Sequence, residues 1–208
     1  ARTIGAGELV IRIKKEYKAT CKAVDRYMEA YPQMRMHLLE SVYPMGDEIV
    51  LIYEALGKAL PPGGLPIEEG VVVLNVETVY NIYRAMKWHA PVTDKLISIV
   101  GEVEHPVTVR VPIGAFLEDV VSFAGEITAK DPAFLVGGPM MGSLAKEGEV
   151  VKKTTNAVIV LDQNHVLVRR KDRNAAIDLK RAASACCQCE TCTSLCPRHA
   201  LGHPIEPH

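Results

Sequence analysis

Residues 186–197 read CCQCETCTSLCP, and five of the chain's six cysteines lie there. Cys186, Cys189, Cys192 and Cys196, followed by Pro197, spell C-x2-C-x2-C-x3-C-P. No hydrophobic pattern constrains folding as tightly. Three thiolates two residues apart wrap one face of a cubane, a turn carries the fourth away, and proline fixes φ there and withholds a donor. This is the ligand spacing of ferredoxin-type 4Fe-4S clusters. A zinc knuckle, the competing metal reading, separates its C-x2-C pairs by a longer loop. In two-cluster ferredoxins the fourth cysteine serves the other cluster, so either Cys196 closes a single cluster or it needs a second set of cysteines that this sequence does not contain. The expectation is an electron-transfer domain cut in its middle.

The remaining thiols and imidazoles have plainer readings. Bunched cysteines argue against a disulfide framework and for a reducing, cytoplasmic setting. Cys187 is out of register, either a spectator or a ligand swap, and Cys21 reads as core. His199 and His203 either hydrogen-bond cluster sulfur or serve as solvated or capping groups.

At 208 residues and 48% hydrophobic the chain can bury two small cores. Net charge is −1, and the densest basic cluster is only Arg169, Arg170, Lys171 and Arg173, which excludes nucleic acid as a partner. No apolar run is long enough to span a membrane, and the start, ARTIGAGELVIRIKK, has no secretion-signal core. That start, without Met and directly before a strand-like run, reads as a trimmed end.

The hydrophobic pattern predicts a strand in 8–17, a helix carrying Cys21, Val24, Tyr27 and Met28, a strand alternating Met34, Met36 and Leu38, and a helix ending at Gly57. That is the β-α-β-α rhythm of a parallel sheet. PPGGLP (61–66) reads as a hinge, and 70–89 as a buried strand followed by a helix. From Thr93 the texture changes to short β-branched runs: two strands, a helix in 115–125 and a strand at FLVGG, a β-grasp-like unit. NAVIVLDQNHVLVRRK reads as a hairpin turning at Asp162 to His165, and the alanine-rich stretch before the cysteines as a helix.

YPMGDE (43–48), PPGGLP, GVVVLNVETVYNI (70–82), ISIVGEVEHPVTVRVPIG and GGPMMG (137–142) occur in this order. Together they resemble the C subunit of the Rnf electron-transport complex and the flavin subunit of respiratory complex I. CPRHALGHPIEPH resembles the branch that reduces corrinoids in propanediol-utilisation microcompartments. The resemblance implies an α/β chain: a partial Rossmann-like FMN/NADH-binding domain (1–92), a β-grasp SLBB domain (93–150), a hairpin connector (151–174) and the start of a helical ferredoxin-like iron–sulfur domain (175–208). It implies an NADH-dependent oxidoreductase passing electrons from FMN through 4Fe-4S clusters to a corrinoid or a redox partner protein, in the cytoplasm or a microcompartment lumen. The alternative is a non-catalytic electron-transfer or docking subunit.

By the same resemblance, Tyr43, Gly46, Asp47 and Glu48 line the flavin and nicotinamide site, with Asp47 or Glu48 orienting the nicotinamide, while Asn75 and Thr78 contact flavin. Gly46 would let backbone approach the ring, and Asn75 and Thr78 would hydrogen-bond its polar atoms. Each of these stretches also has a structural reading: Asp47 and Glu48 charging a helix N-terminus, and GGPMMG a tight turn with its methionines in the core. Two departures stand out: Leu74 precedes Asn75 where complex I flavin proteins carry two asparagines, and IGAGE does not form the glycine-rich phosphate loop. The expectation is weak flavin binding by this chain alone.

Overall fold

The structure is a computed structural model that describes residues 2–207. In chain order it contains β1 (Leu9–Lys14), α1 (Lys18–Met28), β2 (Met34–Leu39), α2 (Glu48–Leu56), α3 (Val76–Trp88), β3 (Asp94–Gly101), β4 (Val107–Pro112) and α4 (Leu117–Val121). There follow β5 (Pro132–Val136), β6 (Ser143–Leu144), β7 (Ala157–Asp162), α5 (Val166–Lys171), α6 (Ala175–Ala185), α7 (Thr191–Ser194) and α8 (Pro197–Ala200). Two compact units result, Ala1–Leu74 with Cys187–His208, and Asn75–Cys186.

In the first unit β1, α1 and β2 make the expected β-α-β, with strands parallel in register from Leu9 opposite Met34 to Lys14 opposite Leu39. Alternation puts Leu9 and Ile11 on one face with Met34 and Met36, and Leu9, Ile11 and Met34 line an apolar concavity of about 480 Å³ together with Val24 and Tyr27 of α1. Cys21, Val24 and Met28 form the half-buried stripe of α1, whereas Tyr27 is exposed. The predicted alternation fails at the end of β2, where Leu38 is exposed and Leu39 buried, because the opposite face is the one α2 covers: Arg35 on that face donates to the Ala55 carbonyl at 3.3 Å. Arg12 shares that face, and its three guanidinium nitrogens are buried without a hydrogen-bond partner among the described residues.

Asp47 starts α2 as its N-cap, its Oδ1 accepting from the N–H groups of Ile49 (3.0 Å) and Val50 (3.3 Å). Gly57 ends the helix at φ 66°, a left-handed conformation glycine adopts without Cβ strain. The strand expected over 70–75 does not form: Val72 and Leu74 are exposed, and none of these residues joins a ladder among the described residues. An apolar run becomes a strand only where a neighbour takes its backbone hydrogen bonds, and β1 and β2 form a two-stranded sheet. The hinge is partly regular, with a 3-10 turn over Pro66–Glu69.

The second unit is built on a five-stranded sheet of order β4-β3-β7-β5-β6, in which β3 and β7 are parallel and the other pairs antiparallel. This is the β-grasp pattern, and α4 closes its core: Leu117, Val120 and Val121 pack with Ile97, Ile99, Val158 and Val160. Gly101, at φ 100°, lies so near β7 that a Cβ would sit 2.1 Å from the Val160 carbonyl oxygen, leaving no other residue tolerable.

The hairpin expected over 156–171 is half wrong. Ala157–Asp162 is the central strand of the β-grasp sheet, which therefore runs past residue 150, and Val166–Lys171 is a helix. Asp162 accepts from Asn164 N–H at 2.9 Å and His165 Nδ1 from Leu167 N–H at 3.2 Å, so side chains at the turn cap a helix where apolar content suggested a strand. The GGPMMG methionines do not fill core either: Met140 is 61% and Met141 94% exposed, on a loop closed by Gly142 N–H to Gly138 O at 2.8 Å.

Candidate functional site

The resemblance-derived residues divide between the units. Tyr43, Gly46, Asp47 and Glu48 lie in the first, on the turn into α2, where Asp47 N–H donates to the Pro44 carbonyl at 2.8 Å. Asn75 and Thr78 lie in the second, at the start of α3.

Asp47 is spoken for within its own unit. One oxygen caps α2, and the other accepts from Arg198 Nη2 at 2.8 Å. Glu48, in the first turn of the same helix, is exposed and has no hydrogen-bond or ion-pair partner among the described residues. The two adjacent carboxylates thus take different parts: Asp47 fixes the turn, and Glu48 is open to a ligand. At Gly46 a Cβ would meet nothing within 4 Å, so the chain's own packing does not demand glycine there. A planar ring laid on the backbone would use that bareness. Tyr43 is 70% exposed beside it.

Asn75 caps α3, its Oδ1 accepting from Glu77 N–H at 2.9 Å, which leaves the carboxamide NH2 for another acceptor. The Thr78 side chain is exposed and makes no hydrogen bond among the described residues. This donor set suits the carbonyl and ring-nitrogen acceptors of a flavin.

The cysteine loop follows α6. All four motif cysteines are free thiols, three of them exposed and Cys196 half-buried. Among the described residues no three of His, Cys, Asp or Glu converge as a metal-holding group. The loop nevertheless has features its sequence does not announce. Gln188 and Glu190, on either side of Cys189, both sit at φ 57°, a left-handed conformation that costs a non-glycine residue roughly 1–2 kcal/mol. The Thr191 hydroxyl, 3.2 Å from Cys189 Sγ, with the Thr191 N–H and Cys187, holds the Cys189 thiol down to about 7. A strained loop presenting an acidified thiol has the donor chemistry of a thiolate-ligated cluster.

From Cys187 onward the chain belongs to the first unit. His203 is buried, and its Nε2–H donates to the Leu60 carbonyl at 2.8 Å; a carbonyl only accepts, which fixes the tautomer. His199 Nδ1 meets the Ile205 carbonyl at 3.1 Å. Among the described residues neither imidazole bonds a cysteine sulfur; each meets a main-chain carbonyl of a loop instead. Sequence reasoning missed Arg198, whose role rests on a partner 151 positions away.

Residues 1–84 match the family model of the Nuo51 FMN-binding domain and residues 96–143 that of the SLBB domain. Cobalamin reductase PduS of Citrobacter freundii is 42% identical over 205 residues, 98% of this chain and 45% of that protein. The C subunit of the ion-translocating oxidoreductase complex of Rhodobacter capsulatus is 27% identical over 95% of this chain and 36% of its own length. The chain thus spans about half the length, or less, of these relatives. Among solved structures, a chain of an NAD+-reducing [NiFe]-hydrogenase superposes at a TM-score of 0.64 over 79% of this chain and 35% of its own, at 24% identity, a likeness of fold.

Proposed function

We propose that the chain, which matches the Nuo51 FMN-binding and SLBB domains and is 42% identical to a cobalamin reductase PduS, belongs with the Rnf C subunit and the flavin subunit of complex I and serves a flavin- and iron–sulfur-dependent oxidoreductase of the cobalamin-reductase type. The observation that supports the reading is an ion pair, within the first unit, between the stretch that follows the cysteine motif and the turn into α2. Arg198, two residues after Cys196, pairs at 2.8 Å with Asp47 on the turn that bears Gly46 and Glu48.

In this reading Glu48 orients the nicotinamide of NADH, Gly46 leaves the backbone bare for the ring beside it, and Tyr43 flanks them. Asp47 keeps the turn in place through its helix cap and Arg198. Asn75 and Thr78 hold polar edges of the flavin. Cys186, Cys189, Cys192 and Cys196 would hold a 4Fe-4S cluster as thiolates, and the lowered Cys189 thiol reaches that state near neutral pH. When bound, FMN would accept hydride and the cluster would carry single electrons onward. A corrinoid or a carrier protein is the acceptor this reading assigns.

Anaerobically purified protein tests it by iron and acid-labile sulfide counts and by the visible spectrum after adding FMN and then NADH. Iron and sulfide in equal amounts, about four of each per cluster, with a flavin band that NADH bleaches in the native protein and not in Glu48→Gln, is the expected result. A cluster with no NADH-dependent bleaching reduces the chain to an electron-transfer or docking subunit. Zinc in a colourless protein removes the reading altogether.

A further inference from the structure

α3 is turned inside out. Its sequence places Val76, Val79, Tyr80, Tyr83 and Met86 on one helical stripe, which amphipathic logic would bury. All five are exposed, whereas the half-buried positions are Glu77, Asn81 and Arg84, one turn apart. The polar stripe faces the β-grasp sheet, and two ionic clasps fasten it there. Glu77 pairs with Lys95, a lysine only 8% exposed, and its Oε1 also accepts from Leu96 N–H at 3.1 Å. Arg84 grips Asp94 with its two terminal guanidinium nitrogens, at 2.9 and 3.3 Å, and Arg110 of β4 reaches the same carboxylate at 3.4 Å.

The Leu96 contact explains why a carboxylate is needed at 77. The parallel ladder between β3 and β7 begins at Ser98 opposite Ala157, and Ser98 N–H donates to the Asn156 carbonyl. Leu96 N–H, two residues earlier, leaves the same edge of β3 beyond the end of β7, where no strand can accept it. Glu77 supplies the acceptor and neutralises Lys95 at the same time. The clasp residues 77 and 84 lie in the segment matching the FMN-binding domain, while Leu96 and Arg110 lie in the SLBB match. The helix that begins with Asn75 and Thr78 is therefore seated by the SLBB sheet.

We infer that Glu77 and Arg84, with Lys95 and Asp94, are positioning residues for flavin: the SLBB sheet holds α3 so that Asn75 and Thr78 present their polar groups to the isoalloxazine. This rests on the reading of Asn75 and Thr78 as flavin contacts. The clasps touch no flavin atom and act only through the helix.

The test is an FMN titration of the full chain, followed by flavin fluorescence quenching and visible circular dichroism, with amide exchange of α3 measured alongside. Glu77→Gln removes the charge that Lys95 needs, and the dissociation constant is expected to rise about tenfold, equivalent to one well-made polar contact, with an altered flavin dichroism and faster exchange in α3. Asn75→Ala raises it directly and adds little on the Glu77→Gln background. The exchanged pair Glu77→Lys with Lys95→Glu restores the ion pair but leaves the Leu96 N–H without its acceptor, so it recovers part of the affinity lost in Glu77→Lys alone, as a purely steric role for Glu77 would not. Should Glu77→Gln fold poorly, Arg84→Gln reads the second clasp; the buried core of the sheet contains no α3 residue, so its melting should move little. If Asn75→Ala weakens FMN while Glu77→Gln and Arg84→Gln bind it with unchanged affinity and dichroism, the positioning role is overturned and the flavin contacts stand. If the unmodified chain shows no saturable FMN binding, or Asn75→Ala leaves the constant unchanged, the flavin reading fails and the proposal goes with it.

Discussion

Replacing His203 by alanine would release the tail that carries the cysteine loop. His203 is 6% exposed and Leu60, whose carbonyl it satisfies at 2.8 Å, is 1% exposed. Alanine leaves that buried carbonyl without a donor, which costs roughly 1–3 kcal/mol, and removes the packed imidazole as well. A loss of about 2 kcal/mol multiplies the population of locally opened tail about thirtyfold. The amides that report it are known. Gly202 N–H donates to His199 O at 2.9 Å and His203 N–H to Arg198 O at 3.1 Å, so their exchange protection should fall by that factor. His203→Gln, whose amide can still donate, should recover part of the loss; His203→Phe, which fills space without a donor, should not. Arg198→Gln should do far less, because the Arg198 and Asp47 side chains are 31% and 34% exposed and solvent screens the pair to under about 1 kcal/mol. A fall in protection smaller than about threefold for His203→Ala would refute the argument that this buried contact holds the tail.

Two further outcomes follow from the charges. Arg84 holds the Asp94 carboxyl below its ordinary range; burial pushes Glu77 up, but the Lys95 and Leu96 hydrogen bonds outweigh it and leave that carboxyl lowered too. Groups depressed in the folded state stabilise it fully above their unfolded values, about 4, and lose that contribution as pH falls through the lower folded values. Acidification below about pH 4 should therefore lower the amide protection factors of α3 before those of the β-grasp strands; simultaneous loss would contradict it. Arg12→Met replaces an unpartnered guanidinium with an apolar chain of similar length, and should raise the urea midpoint of the first unit, by about 1–3 kcal/mol in stability. A lowered midpoint would mean that Arg12 has an anionic partner in solution, with Glu54, whose field already acts on it, as the candidate.

Local signals in the sequence were reliable where the structure is local. The α2 boundaries could be read from Asp47 and Gly57, and β1-α1-β2 from alternation and helical spacing, because caps and periodicity act within a few residues. The four thiols stand out by spacing alone. What stayed hidden depends on partners far along the chain: residues 70–75 lack a ladder neighbour, 157–162 found one in β3, and His203 is structural only because Leu60 offers its carbonyl. The roles of Asp47 and Glu48 could not be separated until Arg198 was seen to claim one of them.

α3 carries the point further, since its periodicity was clear and yet misleading. Helical spacing shows that two faces differ, but not which one a neighbour will take. Here four residues of β3, Asp94 to Ile97, precede its pairing with β7, leaving the Leu96 N–H and the Lys95 ammonium at the same place. An apolar face laid there would strand both groups, at a few kcal/mol for the amide alone and more for the charge. A carboxylate at 77 answers both, and Arg84, seven residues on and on the same face, reaches Asp94 at the start of the strand. The unpaired end of one strand thus selects the buried face of the helix, and the apolar stripe is displaced to the outside.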